Sequence, residues 1–345
     1  MPEFIKPSRL QRGDTVASVS LSSGFVTEVP HRYEAGKRQL RDAFGLQVVE
    51  APNALRGAEY LHRHPQARAD DLHWALENPE VRGIFSVIGG DDSVRLLPHL
   101  DLDLIRRFPK VMLGFSDTTI TLMQFLRAGV HAFYGPAILT DLAENAGIRD
   151  FVARGVRRAL FDARPFGLEA ASEWTEEHVD WRDEARQEQP RSFQPSDGWV
   201  WLGGRKRVEG HLVGGCLEVL DMLNGTPGWP EARLWDGAIL CLETSEDVPP
   251  PSQVGYWLRN FGAQGILGKA SGLLMSRPKA YTPDMTSRLY DWVKRVAWEF
   301  GREDLPIVAN MDFGHTSPQL TLPLGAKVVI DPTKATVDVL EAGVS

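Results

Sequence analysis

Three residues that lie far apart in the chain have the chemistry of a nucleophile relay. Ser116 sits within KVMLGFSDTTITLMQFL, residues 110–126, where Val111, Met112 and Leu113 form an apolar run and Gly114 breaks it. Ile120, Met123 and Leu126 then recur at helical spacing, so the stretch predicts a strand, a sharp turn and a helix. A serine at such a turn is pushed out of the sheet plane, and the N–H groups that open the helix favour negative charge beside it. That is the setting acyl transfer requires, with an exposed hydroxyl and an amide donor near the developing oxyanion. Gly-Phe-Ser-Asp-Thr lacks the second glycine of G-x-S-x-G, and a Ser-Asp pair at a helix start also suits a plain cap. A serine nucleophile needs a base, and the base an orienting partner. Of the nine histidines, His315 follows the run PIVANMDFG between Gly314 and Thr316, small neighbours that leave room for a ligand, although an ordinary loop histidine fits the same letters. Glu243 ends the apolar run AILCL, where a carboxylate is partly desolvated and able to hold an imidazolium; Glu246 and Asp247 follow at once, so an acidic surface turn competes with that reading.

Positioning these residues takes two α/β units. Residues 15–21 form a strand, 33–44 a helix stopped by Gly45, 46–52 a second strand and 66–77 a second helix. VRGIFSVIGG is a strand that runs into paired glycines, a short helix follows near Val94–Leu100, and HAFYGPAI adds a strand after the Ser116 helix. Strict alternation of strand and helix predicts a parallel α/β sheet whose ligands gather at the carboxyl ends of the strands, which puts Gly89-Gly90 and Phe115-Ser116 on one rim. Residues 161–207 read as a connector carrying a functional loop, because Trp174, Trp181, Trp199 and Trp201 stand among charged residues with no period; covering a seam between domains explains any one of them equally. The division is thus 1–160, 161–207 and 208–345, with the serine in the first unit, Glu243 and His315 in the last, and the site in the cleft between them.

A length of 345 residues suffices for two cores, and a formal charge of -8 without any basic run makes nucleic acid and anionic membranes poor partners. The N-terminal residues lack an apolar segment with a cleavage site, so a cytoplasmic location is expected. Cys216 and Cys241 are the only cysteines, too few for a disulfide framework.

GFSDTT at 114–119, LETSED at 242–247 and DFGHT at 312–316, in that order and with the SVIGG loop upstream, resemble the LD-carboxypeptidase family of serine peptidases over nearly the whole chain. The resemblance implies an N-terminal parallel-sheet domain of the flavodoxin or glutamine-amidotransferase kind and a β-rich C-terminal α/β domain. It implies Ser116 as nucleophile, His315 as general base, Glu243 as its partner, and an oxyanion hole from the N–H groups of Asp117 and Gly90. The IGGDDS loop, LETSED followed by prolines, and WTEEHVDW are similar to the microcin C self-immunity branch, whose members hydrolyse the amide joining an amino acid or peptide to a nucleotide-like group; the muropeptide branch instead removes a terminal D-alanine from wall tetrapeptides. Substrate contacts implied by the resemblance are Gly89, Asp91, Trp181 and Cys216, the last standing where the family usually carries Asn; SRPKAY likewise replaces a more usual Gly-Arg-Pro. A homodimer is implied, and no cofactor or metal.

Two rival chemistries and one non-catalytic alternative fit parts of the pattern. Cys216 follows Gly214-Gly215 and precedes a helical run, where a thiolate would be stabilised, so a thiol hydrolase built with His315 and Glu243 is one alternative. Two α/β lobes closing on a small ligand without chemistry are another. Metal catalysis is the third, and it lacks any H-E-x-x-H or cysteine cluster, so activity is expected to resist EDTA.

Overall fold

The computed structural model describes residues 3–345. Five short apolar runs of the first half become β1 (Thr15–Val19), β2 (Gln47–Glu50), β3 (Val81–Ser86), β4 (Val111–Gly114) and β5 (Ala132–Tyr134), joined in parallel in the order β2-β1-β3-β4-β5. Parallel neighbours need crossovers, and the helices Pro30–Phe44, Pro65–Glu77 and Thr119–Arg127 lie in them. Gly45 ends the first of these with a φ of 72°, the left-handed cap that glycine adopts without steric cost. The short helix expected near 94–100 is instead a 3-10 turn, Ser93–His99, with Pro98 inside it, a residue that has no N–H to give an α-helical ladder. Alternation along the strands divides the packing: Val16, Phe85, Val111 and Leu113 enter one core, and Ala17, Ile84 and Met112 the other. Both faces are therefore covered, as parallel strands demand.

The segment 161–207, read as a connector carrying a functional loop, also contributes strands. β6 (Phe166–Leu168) and β9 (Val200–Gly203) form the two edges of a second sheet, and β7 (Glu173–Trp174) pairs with β8 (Gln194–Pro195) as a small ribbon. The second sheet is completed by β10 (Val208–Cys216), β11 (Ile239–Glu243), β12 (Gly272–Ser276), β13 (Ile307–Met311), β15 (Lys327–Asp331) and β16 (Thr336–Val339), in the order β6-β16-β15-β10-β11-β12-β13-β9. β14 (Leu322–Leu324) returns to the first sheet and pairs antiparallel with β5, so that sheet is not parallel throughout. β6, β7, β8 and β9 are too short for any period to show against the glycines and prolines around them.

The sheets are not independent layers. The core that holds Ala17, Ile84 and Met112 runs on without a break into Leu212, Leu240 and Leu274 of the second half. Close approach at the join depends on Gly215, and that of β10 to β11 on Gly214, with φ of 152° and 154°. A Cβ on Gly215 would fall 2.6 Å from Thr119, the first residue of the helix after Ser116, and one on Gly214 would overlap the Cys241 carbonyl of β11. Next to them the Cys216 N–H donates to Thr119 Oγ1 at 3.1 Å, fastening β10 to the serine-bearing helix. Gly214→Ala is accordingly expected to cost about 2–4 kcal/mol, through strain and overlap with backbone that cannot move aside, read as a lower urea midpoint at unchanged m.

Candidate active site

Ser116 occupies a 3-10 turn between β4 and the helix Thr119–Arg127, with a φ of 58° that side chains other than glycine rarely adopt. Strain of this kind persists only where surroundings hold it. Here the Ser116 N–H donates to Tyr134 Oη at 3.2 Å, and the following Asp117 is wholly buried. Its carboxylate accepts the Ser93 N–H at 2.8 Å and the Ser22 hydroxyl, while its carbonyl accepts Ser93 Oγ at 2.7 Å. Burial pushes the Asp117 carboxyl above its ordinary range. Asp117 thus ties the turn to two other loops through its side chain. Gly89 lies against the serine, since a Cβ there would come within 2.8 Å of Ser116 Cβ, and at Gly90, with φ of 154°, it would collide with Ser22 Oγ.

Glu243, the last residue of β11, is fully buried and has a partner on each oxygen: Tyr134 Oη donates to Oε1 at 2.5 Å, and Oε2 lies 2.7 Å from Nδ1 of His315. Nε2 of His315 is 3.1 Å from Ser116 Oγ. Gly314, at φ 87°, lets the chain pass Glu243 where any Cβ would strike its carboxylate. The structure therefore brings Ser116, His315 and Glu243 into one hydrogen-bonded line from three separate strand ends. A second carboxylate is also present, because Glu246 Oε2 stands 2.9 Å from the same Nε2. Burial by itself would lower the His315 pKa, but the charge and hydrogen bond of Glu243, reinforced by Glu246, push it up to about 10. The hydrogen bond from His315 holds Glu246 down at about 2, although burial opposes this.

These groups open onto a cavity of about 300 Å³ whose lining includes Gly89, Gly90, Ser116, Trp181, Glu246 and His315. Trp181 packs against Phe25 at 6.3 Å between ring centroids and carries the Arg32 guanidinium 4.5 Å over its ring. The segment bearing it is fastened at two points: Thr175 exchanges backbone hydrogen bonds with Ser317, and Glu176 accepts the Ala280 N–H at 2.6 Å. Trp174 and Trp199 have other duties around a buried pair, Arg277 lying 4.7 Å over the Trp174 ring and Trp199 Nε1 donating at 2.8 Å to Asp312, which pairs with Arg277.

Two implied substrate contacts do not reach the cavity. Asp91 is exposed and outside the cavity lining, whereas its neighbour Asp92 is anchored, paired with Arg68 at 2.5 Å and Arg95 at 3.0 Å. Cys216 is 1 % exposed, buried behind the relay, and its thiol donates to Glu218 at 3.4 Å. Burial, with the charges of Glu243 and Glu218, pushes that thiol well above its usual range, so the thiolate that a cysteine nucleophile requires is suppressed. Among the described residues no group of three or more His, Cys, Asp or Glu side chains is arranged to hold a metal ion. Sequence reasoning did not find Tyr134, whose only mark is its place at a strand end before Gly-Pro. It took Glu246 for part of a surface turn, and passed over Lys279, Arg32, Arg191 and Asp141, all of which line the cavity.

Comparison with known proteins assigns the chain. Residues 16–135 match the LD-carboxypeptidase N-terminal domain and residues 209–330 the LD-carboxypeptidase C-terminal domain. The chain belongs to the LD-carboxypeptidase family, a family of peptidases. It is similar to the microcin C7 self-immunity protein MccF of Escherichia coli, 26 % identical with 95 % of this chain and 94 % of that protein covered. It is also similar to a probable murein peptide carboxypeptidase of Bacillus subtilis, 28 % identical over 99 % of this chain and 95 % of the other. Among solved structures, an MccF-like protein from Streptococcus pneumoniae in complex with AMP superposes with a TM-score of 0.83 at 30 % identity, covering 94 % of this chain and 98 % of that one.

Two measurements follow from this geometry. An imidazole between two carboxylates keeps its proton through neutrality, so NMR titration of His315 in the free protein should give a pKa well above the ordinary histidine range of about 6.5. Tyr134→Phe leaves Glu243 Oε1 buried without a donor, and a stability loss of about 1–3 kcal/mol is expected from denaturant unfolding.

Proposed function

We propose that this protein is a serine amidohydrolase that cleaves the amide joining an aminoacyl or peptidyl group to a nucleotide-like leaving group. The observation that carries the reading is the line Ser116 Oγ, His315 Nε2 and Nδ1, Glu243 Oε2, with neighbours at 3.1 Å and 2.7 Å, opening on a cavity walled by an indole. In this reading Ser116 Oγ attacks the carbonyl carbon while Nε2 of neutral His315 takes its proton, and Glu243 stabilises the imidazolium that forms. The N–H groups of Asp117 and Gly90 receive the oxyanion, which the rigid Asp117 side chain and the crowding at Gly90 keep in register. The imidazolium then protonates the departing nitrogen, and water repeats the sequence on the acyl-enzyme, restoring Ser116. The site lies in the cleft between the two halves, since the nucleophile and its partners come from different sheets.

Substrate choice rests on Trp181 in this proposal. One face of its ring is engaged by Arg32, and its place in the cavity wall suits a base stacked beside it; the AMP bound by the streptococcal relative supports a nucleotide occupant. Such stacking contributes ~1–3 kcal/mol per base. The second reading, removal of a terminal D-alanine from murein tetrapeptides, is favoured by the Bacillus relative.

Ser116→Ala should fold normally and lose nearly all turnover, and Glu243→Gln or His315→Ala combined with it should add little, because residues acting as one unit are non-additive. An undiminished kcat in Ser116→Ala would remove the serine from its role. Comparing kcat/KM for an aminoacyl sulfamoyl adenosine and a D-alanine-ended tetrapeptide tests the substrate. Trp181→Ala should weaken the adenosine compound selectively, mainly in KM, whereas equal losses on both substrates would make Trp181 a packing residue.

A further inference from the structure

Resting on the reading above, we propose that Glu246 selects acyl groups with a free α-ammonium beside the scissile carbonyl, and that pairing with this cation releases Nε2 of His315 to act as base. Glu246 lines the cavity with 59 % of its side chain exposed, yet its carboxylate lies 2.9 Å from Nε2, the same nitrogen that faces Ser116 Oγ at 3.1 Å. An imidazole that gives Nδ1–H to Glu243 and Nε2–H to Glu246 has no lone pair left for the serine hydroxyl. The relay is thus held at rest by an anion of its own chain, consistent with the raised His315 pKa. The charged groups that act on this ring are Glu243, Glu246 and, through Glu246, Lys279, while Phe115 packs on it at 5.1 Å.

Chemistry then limits what can draw Glu246 away. The carbonyl carbon must come against Ser116 Oγ for attack, and the α-nitrogen of an aminoacyl group is two bonds from that carbon. Glu246, whose carboxylate stands 2.9 Å from the nitrogen that faces Ser116 Oγ, is in this proposal within reach of that ammonium. Of the other carboxylates near the relay, Glu243 has partners on both oxygens, Glu176 accepts the Ala280 N–H, Glu177 the Ser192 N–H and Asp141 the Gln319 amide at 3.1 Å on one oxygen; the second Asp141 oxygen is buried without a partner, but only Glu246 stands on the nitrogen that faces Ser116. When the ammonium pairs with Glu246, the Nε2 proton passes to bulk water and the nitrogen regains its lone pair. An N-acylated amino acid has no charge to offer and leaves Glu246 on His315.

The test measures kcat/KM against pH for an aminoacyl sulfamoyl adenosine and its N-acetyl derivative in the wild type, Glu246→Gln and Glu246→Asp, with thermal unfolding as the check on folding. The wild type should prefer the free amine, Glu246→Gln should narrow that preference by about tenfold, the worth of one charge-assisted hydrogen bond, and Glu246→Asp should keep part of it. For the N-acetyl compound the acid limb should move to lower pH in Glu246→Gln. An unchanged ratio, or an equal change on both compounds, overturns the inference while the nucleotide reading stands. Cleavage of a murein tetrapeptide with neither adenosine compound turned over overturns that reading and this inference together.

Discussion

Everything at this site depends on keeping a charge on Glu243 in a place without water. A carboxylate that is fully buried is costly unless each oxygen has a donor, and here Tyr134 and His315 supply them. The arrangement is economical in another respect, because Tyr134 Oη also accepts the Ser116 N–H. A single phenol from the first sheet therefore links the strained serine turn to the carboxylate of the second sheet. With the contact between His315 Nε2 and Ser116 Oγ, this closes a ring in which no member can shift without unpairing another.

The two sheets must approach closely for that ring to close, and small residues decide how closely. Gly215 brings β10 against the helix behind Ser116, Gly314 brings the His315 loop against Glu243, and Gly89 brings the second rim loop against the serine itself. The nearest atoms facing Gly215, Gly314 and Gly89 belong to the side chains of Thr119, Glu243 and Ser116, so a Cβ at any of the three would displace a residue next to or within the relay. A core that continues from Met112 to Leu274 makes the relative position of the sheets part of the packing itself.

A free site built this way has an electrostatic cost. Two carboxylates on one imidazole favour the protonated ring, the form that cannot accept the serine proton. Glu243 is fixed and buried, whereas Glu246 is largely exposed on a turn, so one partner is permanent and the other can exchange for a ligand.

The sequence by itself determined the local chemistry and the local folding. The apolar run broken at Gly114, the Ser-Asp start of a helix, the glutamate closing AILCL and the histidine after Asp-Phe-Gly were all legible, because strand ends and helix starts are written in neighbouring residues, and the three motifs in order were enough to suggest the family. Only the tertiary structure decided which side chains meet. Tyr134 and Glu243 are 109 residues apart and Ser116 and His315 are 199 apart, and nothing local marks such pairs. The same limit applies to Asp91 and Cys216, since neighbouring letters do not show that the first is exposed beside the anchored Asp92 and the second buried beside Glu243. It also explains the strands hidden in 161–207: β6 and β9 become strands because a sheet edge is there to pair with, and β7 and β8 because the fold brings them to each other.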